Sequence, residues 1–307
     1  MPICERDPWR YQFFEGFACP ADVNVPTDDL DVFEWYPEFR WVYEKLKIAQ
    51  SQGMPCGTQN QWPAKFPVFA KPNINLRGMG LNSGVVYTAA EFEALPEGHM
   101  WMPLLTGEHI SSDCAIVKGD VKWMRHALGF PWHRGMFTHW VIETTQRPEL
   151  NQLLTSWVKQ HLGDYTGMMN FETIGGRIIE AHLRFADQWC DIYGKAWLDA
   201  LVKLYAEGEW TLKNDAQKIA YSIPLFLKHG LVPPHPSDEL QKRIRALPGV
   251  SSLQITYYES RKDTAHPMPP GGFRLGLINS FDYEEGLKAR DVLATGFEGC
   301  ELLIPDE

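Results

Sequence analysis

No stretch of the 307 residues approaches eighteen unbroken apolar positions, so nothing in the chain reads as a membrane span. The start, Met1-Pro2-Ile3-Cys4-Glu5-Arg6-Asp7, lacks a basic segment leading into an apolar run and so argues against a signal peptide. There is no basic stripe either. Lysine and arginine number 29 against 39 aspartates and glutamates, mixed along the chain for a net charge of −10, which argues against nucleic acid as a partner. Cys4, Cys19, Cys56, Cys114, Cys190 and Cys300 form no CxxC pair, so neither zinc nor a disulfide framework is indicated. They read as reduced thiols of a cytoplasmic protein, mostly small buried apolar residues. Also missing are GxxxxGK[ST], the H-R-D and D-F-G segments of protein kinases, HExxH spacing, internal repeats and low-complexity tracts. What remains is an ordinary globular composition, 44% apolar and 22% charged, long enough for one large core or two to three lobes.

The most informative stretch runs from Gly167 to Arg184 and reads as two strands joined by a glycine turn. A three-residue loop of Ile174, Gly175 and Gly176 places Glu172 opposite Ile178 and Asn170 opposite Glu180. Met169, Phe171, Ile179, Ala181 and Leu183 then share an apolar face, while Asn170, Glu172, Glu180, His182 and Arg184 share the other. A two-residue turn shifts the register by one and parts the two glutamates. Paired carboxylates repel unless a cation lies between them, and Mg²⁺ takes one or two carboxylates with phosphate and water. By itself the hairpin reads equally well as a solvated edge.

Upstream, residues 38–52 suit one helix ended by Gly53. Residues 67–72 read as a strand ending near Lys71, then a loop with Gly78, Gly80 and Gly84, then a strand over 84–88. Glycines let a backbone approach phosphate closely. A short helix around Phe92, an apolar strand over 100–105, a hairpin of 108–117 with 121–124, and a helix over 148–162 follow. Further on are helices over 193–207, 237–246 and 283–293, with strands over 253–258 and 273–278. Residues 1–30 look irregular. Residues 125–135 form a segment dense in cations and aromatics, where Arg125 or Arg134 suits an acceptor carboxylate.

Lysine strand, glycine loop, strand, hinge strand, acidic segment and paired-carboxylate hairpin, in that order over roughly residues 40–190, resemble the ATP-grasp superfamily, particularly its carboxylate–amine ligases. The resemblance implies an α+β, ATP-grasp fold, two α+β lobes clasping ATP, with a shortened N-terminal domain. It divides the chain into an N-terminal segment (1–53), a small lobe (54–106), a large lobe (107–190) and the large lobe's C-terminal part (191–307). It implies that Lys71, Arg77, Gly78, Gly80 and Ser83 hold phosphates, that Leu105 lies at the adenine hinge and that Glu108 binds ribose. A second phosphate-contacting base is one of Arg40, Lys45 and Lys47, taken here as Lys45. Glu172, Glu180 and His182 are the implied metal ligands, for Mg²⁺ with Mn²⁺ as a substitute, because His182 stands where the family usually has asparagine. Arg184 is the implied catalytic residue, stabilising charge on the transferring phosphoryl group or the tetrahedral intermediate.

The activity so implied is an ATP-dependent ligase that activates a small-molecule carboxylate as an acyl phosphate and joins it to an amine. The alternatives are a kinase acting on a small-molecule hydroxyl and a catalytically inactive nucleotide-binding subunit. A homodimer or partner subunit is a further expectation, completing a substrate site that the short N-terminus leaves open.

Overall fold

The computed structural model describes residue 3 and residues 5–213, 218–230, 232–259 and 267–305; residues 1 and 2 and Cys4 lie outside them. Two antiparallel sheets carry the chain. The smaller contains β1 (Gly57–Thr58), β2 (Val68–Pro72), β3 (Gly84–Val86) and β4 (His99–Pro103), in the order β1-β4-β2-β3. The larger contains β5 (His109–Val117), β6 (Asp120–Pro131), β7 (Phe137–Ile142), β8 (Gly167–Ile174), β9 (Arg177–His182), β10 (Ala220–Leu227), β11 (Val250–Ile255), β12 (Phe273–Ser280) and β13 (Leu302–Leu303). Its order is β11-β12-β10-β7-β6-β5-β8-β9, with β13 on β10. The helices described are α1 (Pro8–Tyr11), α2 (Asp29–Trp35), α3 (Lys45–Ser51), α4 (Ala89–Glu93), α5 (Pro148–His161), α6 (Cys190–Tyr193), α7 (Lys195–Glu207), α8 (Asp238–Arg245) and α9 (Tyr283–Ala294). Among the described residues no helix is long and apolar enough to cross a membrane.

Period-two alternation explains how the large sheet is covered. Met169 and Phe171 of β8 point to a core with Leu154, Trp157 and Val158 of α5. Met168, on the opposite face, packs with Trp123 and with Trp197, Leu201 and Leu204 of α7. Asn170 and Glu172 share the face of Met168, further along the strand, and so turn toward the space between the sheets.

The hairpin corrects its expected register. Ile174 pairs with Arg177, so the loop is the two residues Gly175 and Gly176, at φ 55° and 73°. Such a turn suits the twist of a hairpin and needs positive φ at both central positions. A bulge between the Glu172/Glu180 and Thr173/Ile178 pairs leaves Ile179 unpaired and puts the two glutamates directly opposite each other. The bulge's backbone is satisfied from outside the hairpin. Gln52 accepts from Ile178 N at 2.8 Å and donates to Ile178 O at 2.8 Å, and Lys71 Nζ donates to Ile179 O at 2.7 Å. Ile178 joins the α5 core in place of Ile179, which packs toward Met100 and Met102 of the small sheet.

Three other expectations change. Residues 38–52 are not one helix: a 3₁₀ segment, Pro37–Tyr43, is separated from α3 by Glu44 at φ −84° and ψ 95°. The break is tertiary, because Asn73 accepts from Lys45 N through its carbonyl and from Leu46 N through its side chain, both at 2.9 Å, and so caps α3. The 1–30 region contains α1 and the start of α2, whose Asp28 cap accepts from Leu30 N at 2.8 Å. Strand β6 does not stop at Met124; it runs to Pro131, turning most of the cation-rich segment into sheet with Arg125 buried.

Candidate active site

A cavity of about 910 Å³ lies between the two sheets. The glycine loop, Arg77–Ser83, the hinge residues Met102–Leu105, the hairpin and the N-terminal residues near Asp29 all line it. The loop holds its shape through left-handed residues, Gly78 at φ 65°, Met79 at 59°, Gly80 at 61° and Asn82 at 56°, and through Asn75 Nδ2 donating to Gly78 O at 2.9 Å. Its tip reaches across to the β6–β7 turn, with Met79 O about 3.3 Å from where a side chain on Gly135 would begin. The hairpin tip is locked to the hinge as well: Gly175 N donates to Glu108 O at 3.1 Å, and a Cβ on Gly175 would collide with the Thr106 carbonyl oxygen.

Of the three basic candidates on residues 37–51, only Lys45 reaches the hairpin, its Nζ 2.9 Å from Glu180 Oε1. Lys47 pairs with Glu44, and Arg40 donates to Phe33 O. Burial disfavours the charged form of Lys71, Glu180 opposes that, Lys45 adds to it, and the ammonium's pKa comes down to about 8. Burial pushes the Glu172 carboxyl up, but a hydrogen bond to His109 (Nε2···Oε2 3.1 Å) and the charges of His109, His182 and Lys71 outweigh it and hold the pKa at about 2. Two carboxylates and two lysines are thus gathered at one point beneath the glycine loop.

Asp29, which the sequence reading missed, lies deeper. It accepts from Tyr43 Oη at 3.0 Å, binds His182 Nδ1 at 3.0 Å and receives Arg184 Nη2 at 2.7 Å. Burial works against its charge, yet Arg184 and His182 hold its carboxyl well below the usual range, and Asp29 in turn raises the Arg184 guanidinium. An aspartate beginning a helix 155 positions from Arg184 carries no sequence signal of that partnership. Further along the same sheet face, Asp113 is buried and accepts from Asn170, Tyr193 and the Ala186 N–H, with burial pushing its carboxyl up.

Lys71, Arg77, Gly78, Gly80, Ser83, Leu105, Glu172, Glu180, His182 and Arg184 all border the cavity. Lys45 acts from behind Glu180. Glu108 does not border it; its carboxylate turns outward to Arg147 (Nη1···Oε2 2.7 Å), because alternation gives the inward place to its neighbour His109. His182 has Nδ1 held by Asp29 and turns Nε2 toward Glu180 Oε1 at 3.7 Å, beside the carboxylate pair. Among the described residues no group of three histidines, cysteines or carboxylates stands ready to hold a metal. Glu172 and Glu180 do fit Mg²⁺ as hard oxygen donors, provided phosphate and water complete the shell. Of the cation-rich segment, Arg125 is consumed by the Glu143 and Lys218 carbonyls, whereas Arg134 lines the cavity.

No protein-family model and no curated protein matches the chain in sequence. Solved structures do match in shape. An L-amino acid ligase from Bacillus licheniformis superposes with a TM-score of 0.62 at 12% identity, over 97% of this chain and 84% of that one. An N5-carboxyaminoimidazole synthase from Aspergillus clavatus, solved with ADP and 5-aminoimidazole ribonucleotide, gives 0.59 at 12% identity over 90% and 81%. The biotin carboxylase domain dimer of a Hydrogenobacter thermophilus 2-oxoglutarate carboxylase, solved with MgADP and bicarbonate, gives 0.52 at 12% over 87% and 68%. Matched in this way over most of its length, the chain has the ATP-grasp fold.

Proposed function

We propose that the chain is an ATP-dependent ligase that activates a small-molecule carboxylate as an acyl phosphate and joins it to an amine. The observation that carries this reading is the cross-strand pair Glu172/Glu180, with Lys45 on Glu180 and Lys71 beside them, under the glycine loop of one shared cavity. The structures similar to it that hold ADP or MgADP support the nucleotide. Lys71, Arg77 and the loop's backbone N–H groups would hold the phosphates, Lys45 would steady Glu180 from behind, and Phe69 and Met102–Leu105 would flank the base. Glu172 and Glu180 would hold Mg²⁺, which when bound neutralises charge on the phosphate oxygens. Arg184, kept cationic by Asp29, faces the same space and suits the charge that develops on the transferring phosphoryl group. Catalysis in such a site is positioning and electrostatics, with little covalent work for the protein.

The test is ADP release from Mg·ATP across a panel of acids with hydroxylamine as the trapping amine. Acyl hydroxamate formed in step with ADP supports the ligase. A phosphorylated product without hydroxamate selects a kinase, and tight ATP binding with no ADP release for any acid selects a nucleotide-binding subunit.

A further inference from the structure

The register of the large sheet places more than the carboxylates on the cavity face. Residues directly opposite each other in antiparallel strands share a face. His109 of β5 lies opposite Gly129 of β6, which lies opposite Trp140 of β7, and His109 and Glu172 are two residues apart in register on that same face. Gly129 is small for a reason. A Cβ there would stand about 2.7 Å from the Trp140 ring and 2.8 Å from the Phe137 ring, so its absence lets both rings lie down over β6. The result is a continuous row. His109 meets Phe137 at 5.1 Å and Trp140 at 5.6 Å, Phe137 meets Trp140 at 4.4 Å, and Trp140 meets Trp189 at 5.6 Å between centroids. All four rings line the cavity.

The two ends of the row fix its place in the chemistry. His109 holds Glu172 at one end; at the other, Trp189 Nε1 donates to Tyr193 Oη at 2.9 Å, which donates at 2.7 Å to Asp113, a carboxylate near enough to Arg184 to feel its charge. The row therefore runs from the metal-side carboxylate toward the arginine, outside the hinge that flanks the base. A cavity of about 910 Å³ has room for a second ligand beside a nucleotide.

We propose that the acid activated here carries an apolar body, an aromatic ring or a branched alkyl group, seated on the row His109–Phe137–Trp140–Trp189 with its carboxylate toward Arg184. This rests on the ligase reading above. In the step inferred, a carboxylate oxygen attacks the γ-phosphorus as the bond to the β-phosphate oxygen breaks, and ADP leaves with that electron pair. Hydroxylamine nitrogen then attacks the acyl carbon, inorganic phosphate departs with the C–O bond electrons, and the nitrogen loses a proton. Aromatic rings in the row offer offset or edge-on stacking to a ring of the substrate and plain apolar contact to an alkyl group. The ring of Phe137 and the indole faces offer nothing to a second phosphate or carboxylate.

The experiment compares 3-phenylpropionate and 4-methylpentanoate with succinate and 3-phosphoglycerate, using ADP release and hydroxamate formation. The apolar acids should turn over and the polyanionic ones should not at equal concentration. Phe137→Ala should raise the KM for 3-phenylpropionate about tenfold, with Phe137→Leu between it and wild type and the KM for ATP within about twofold in both. Binding of 3-phenylpropionate in the presence of Mg·ADP, followed by quenching of tryptophan fluorescence, separates the two readings. Binding that quenches and is lost in Phe137→Ala, without turnover, sustains the seat for an apolar acid and overturns the ligase. Preference for the polyanionic acids, no binding of either apolar acid, or an ATP KM that rises with the acid's in Phe137→Ala overturns the inference.

Discussion

Replacing Asp29 with asparagine keeps the volume and one acceptor but removes the charge that faces Arg184. The carboxylate is 5% exposed and has three partners, Arg184 at 2.7 Å, His182 at 3.0 Å and Tyr43 at 3.0 Å. Breaking a buried pair by neutralising one partner costs about 3–5 kcal/mol, mostly because the surviving charge is left uncompensated. The introduced amide would still accept one hydrogen bond, so the low end, about 3 kcal/mol, is expected. For a chain of this length that is a fall in Tm of about 6 °C, at about 2 °C per kcal/mol. The pH dependence follows from the depressed carboxyl of Asp29. A group whose folded pKa lies below its unfolded value of about 3.9 contributes fully above that value and loses its contribution as pH falls toward the folded one. The Tm gap between wild type and Asp29→Asn should thus be constant from pH 7 to about pH 5 and shrink below about pH 4. Turnover should drop on the order of 10²-fold as Arg184 loses its fixed direction. Scanning calorimetry of both proteins from pH 7 down to pH 3 is the assay. A Tm within 1 °C of wild type at pH 7, or a gap that widens with acid, would refute the reasoning.

Other perturbations probe the remaining contacts. Glu180→Gln removes the anion that faces both Lys45 and the proposed cation, and calorimetry should show loss of Mg²⁺-dependent ATP binding; unchanged affinity would discredit the hairpin site. Lys71, with its pKa lowered to about 8, is cationic below that value, so ATP affinity should decline as pH rises through about 8, and Lys71→Arg should flatten the decline. Equal slopes in the two proteins would detach Lys71 from phosphate. Gly175→Ala places a Cβ against the Thr106 carbonyl at φ 55°, and strain plus overpacking of about 2–4 kcal/mol should lower Tm by several degrees in a thermal melt.

Much of this molecule was legible in its residue pattern, and the parts that were not share one cause. Helix α5 was expected over 148–162 and runs over Pro148–His161, because an apolar stripe at helical spacing is a local property. The lysine strand, the hinge strand and the last helix were likewise local. Expectation and structure part where a distant group replaces a local one. Glu172 and Glu180 share a face as anticipated, but they stand directly opposite each other, through a two-residue turn and a bulge that persists because Gln52 and Lys71 satisfy its backbone from another part of the chain.

By itself, then, the sequence determined several strands and helices around the site, though not α2 or β7, and set a lysine, a glycine loop and two glutamates in the order in which the fold brings them to one cavity. Tertiary structure decided which lysine of residues 37–51 reaches Glu180, that His109 rather than Glu108 turns inward, and that Asp29 claims His182 and Arg184. Periodicity reports the face on which a side chain lies. Only the folded chain determines what stands opposite that face, because a hydrogen bond or ion pair between residues 155 positions apart leaves no trace in the spacing of either.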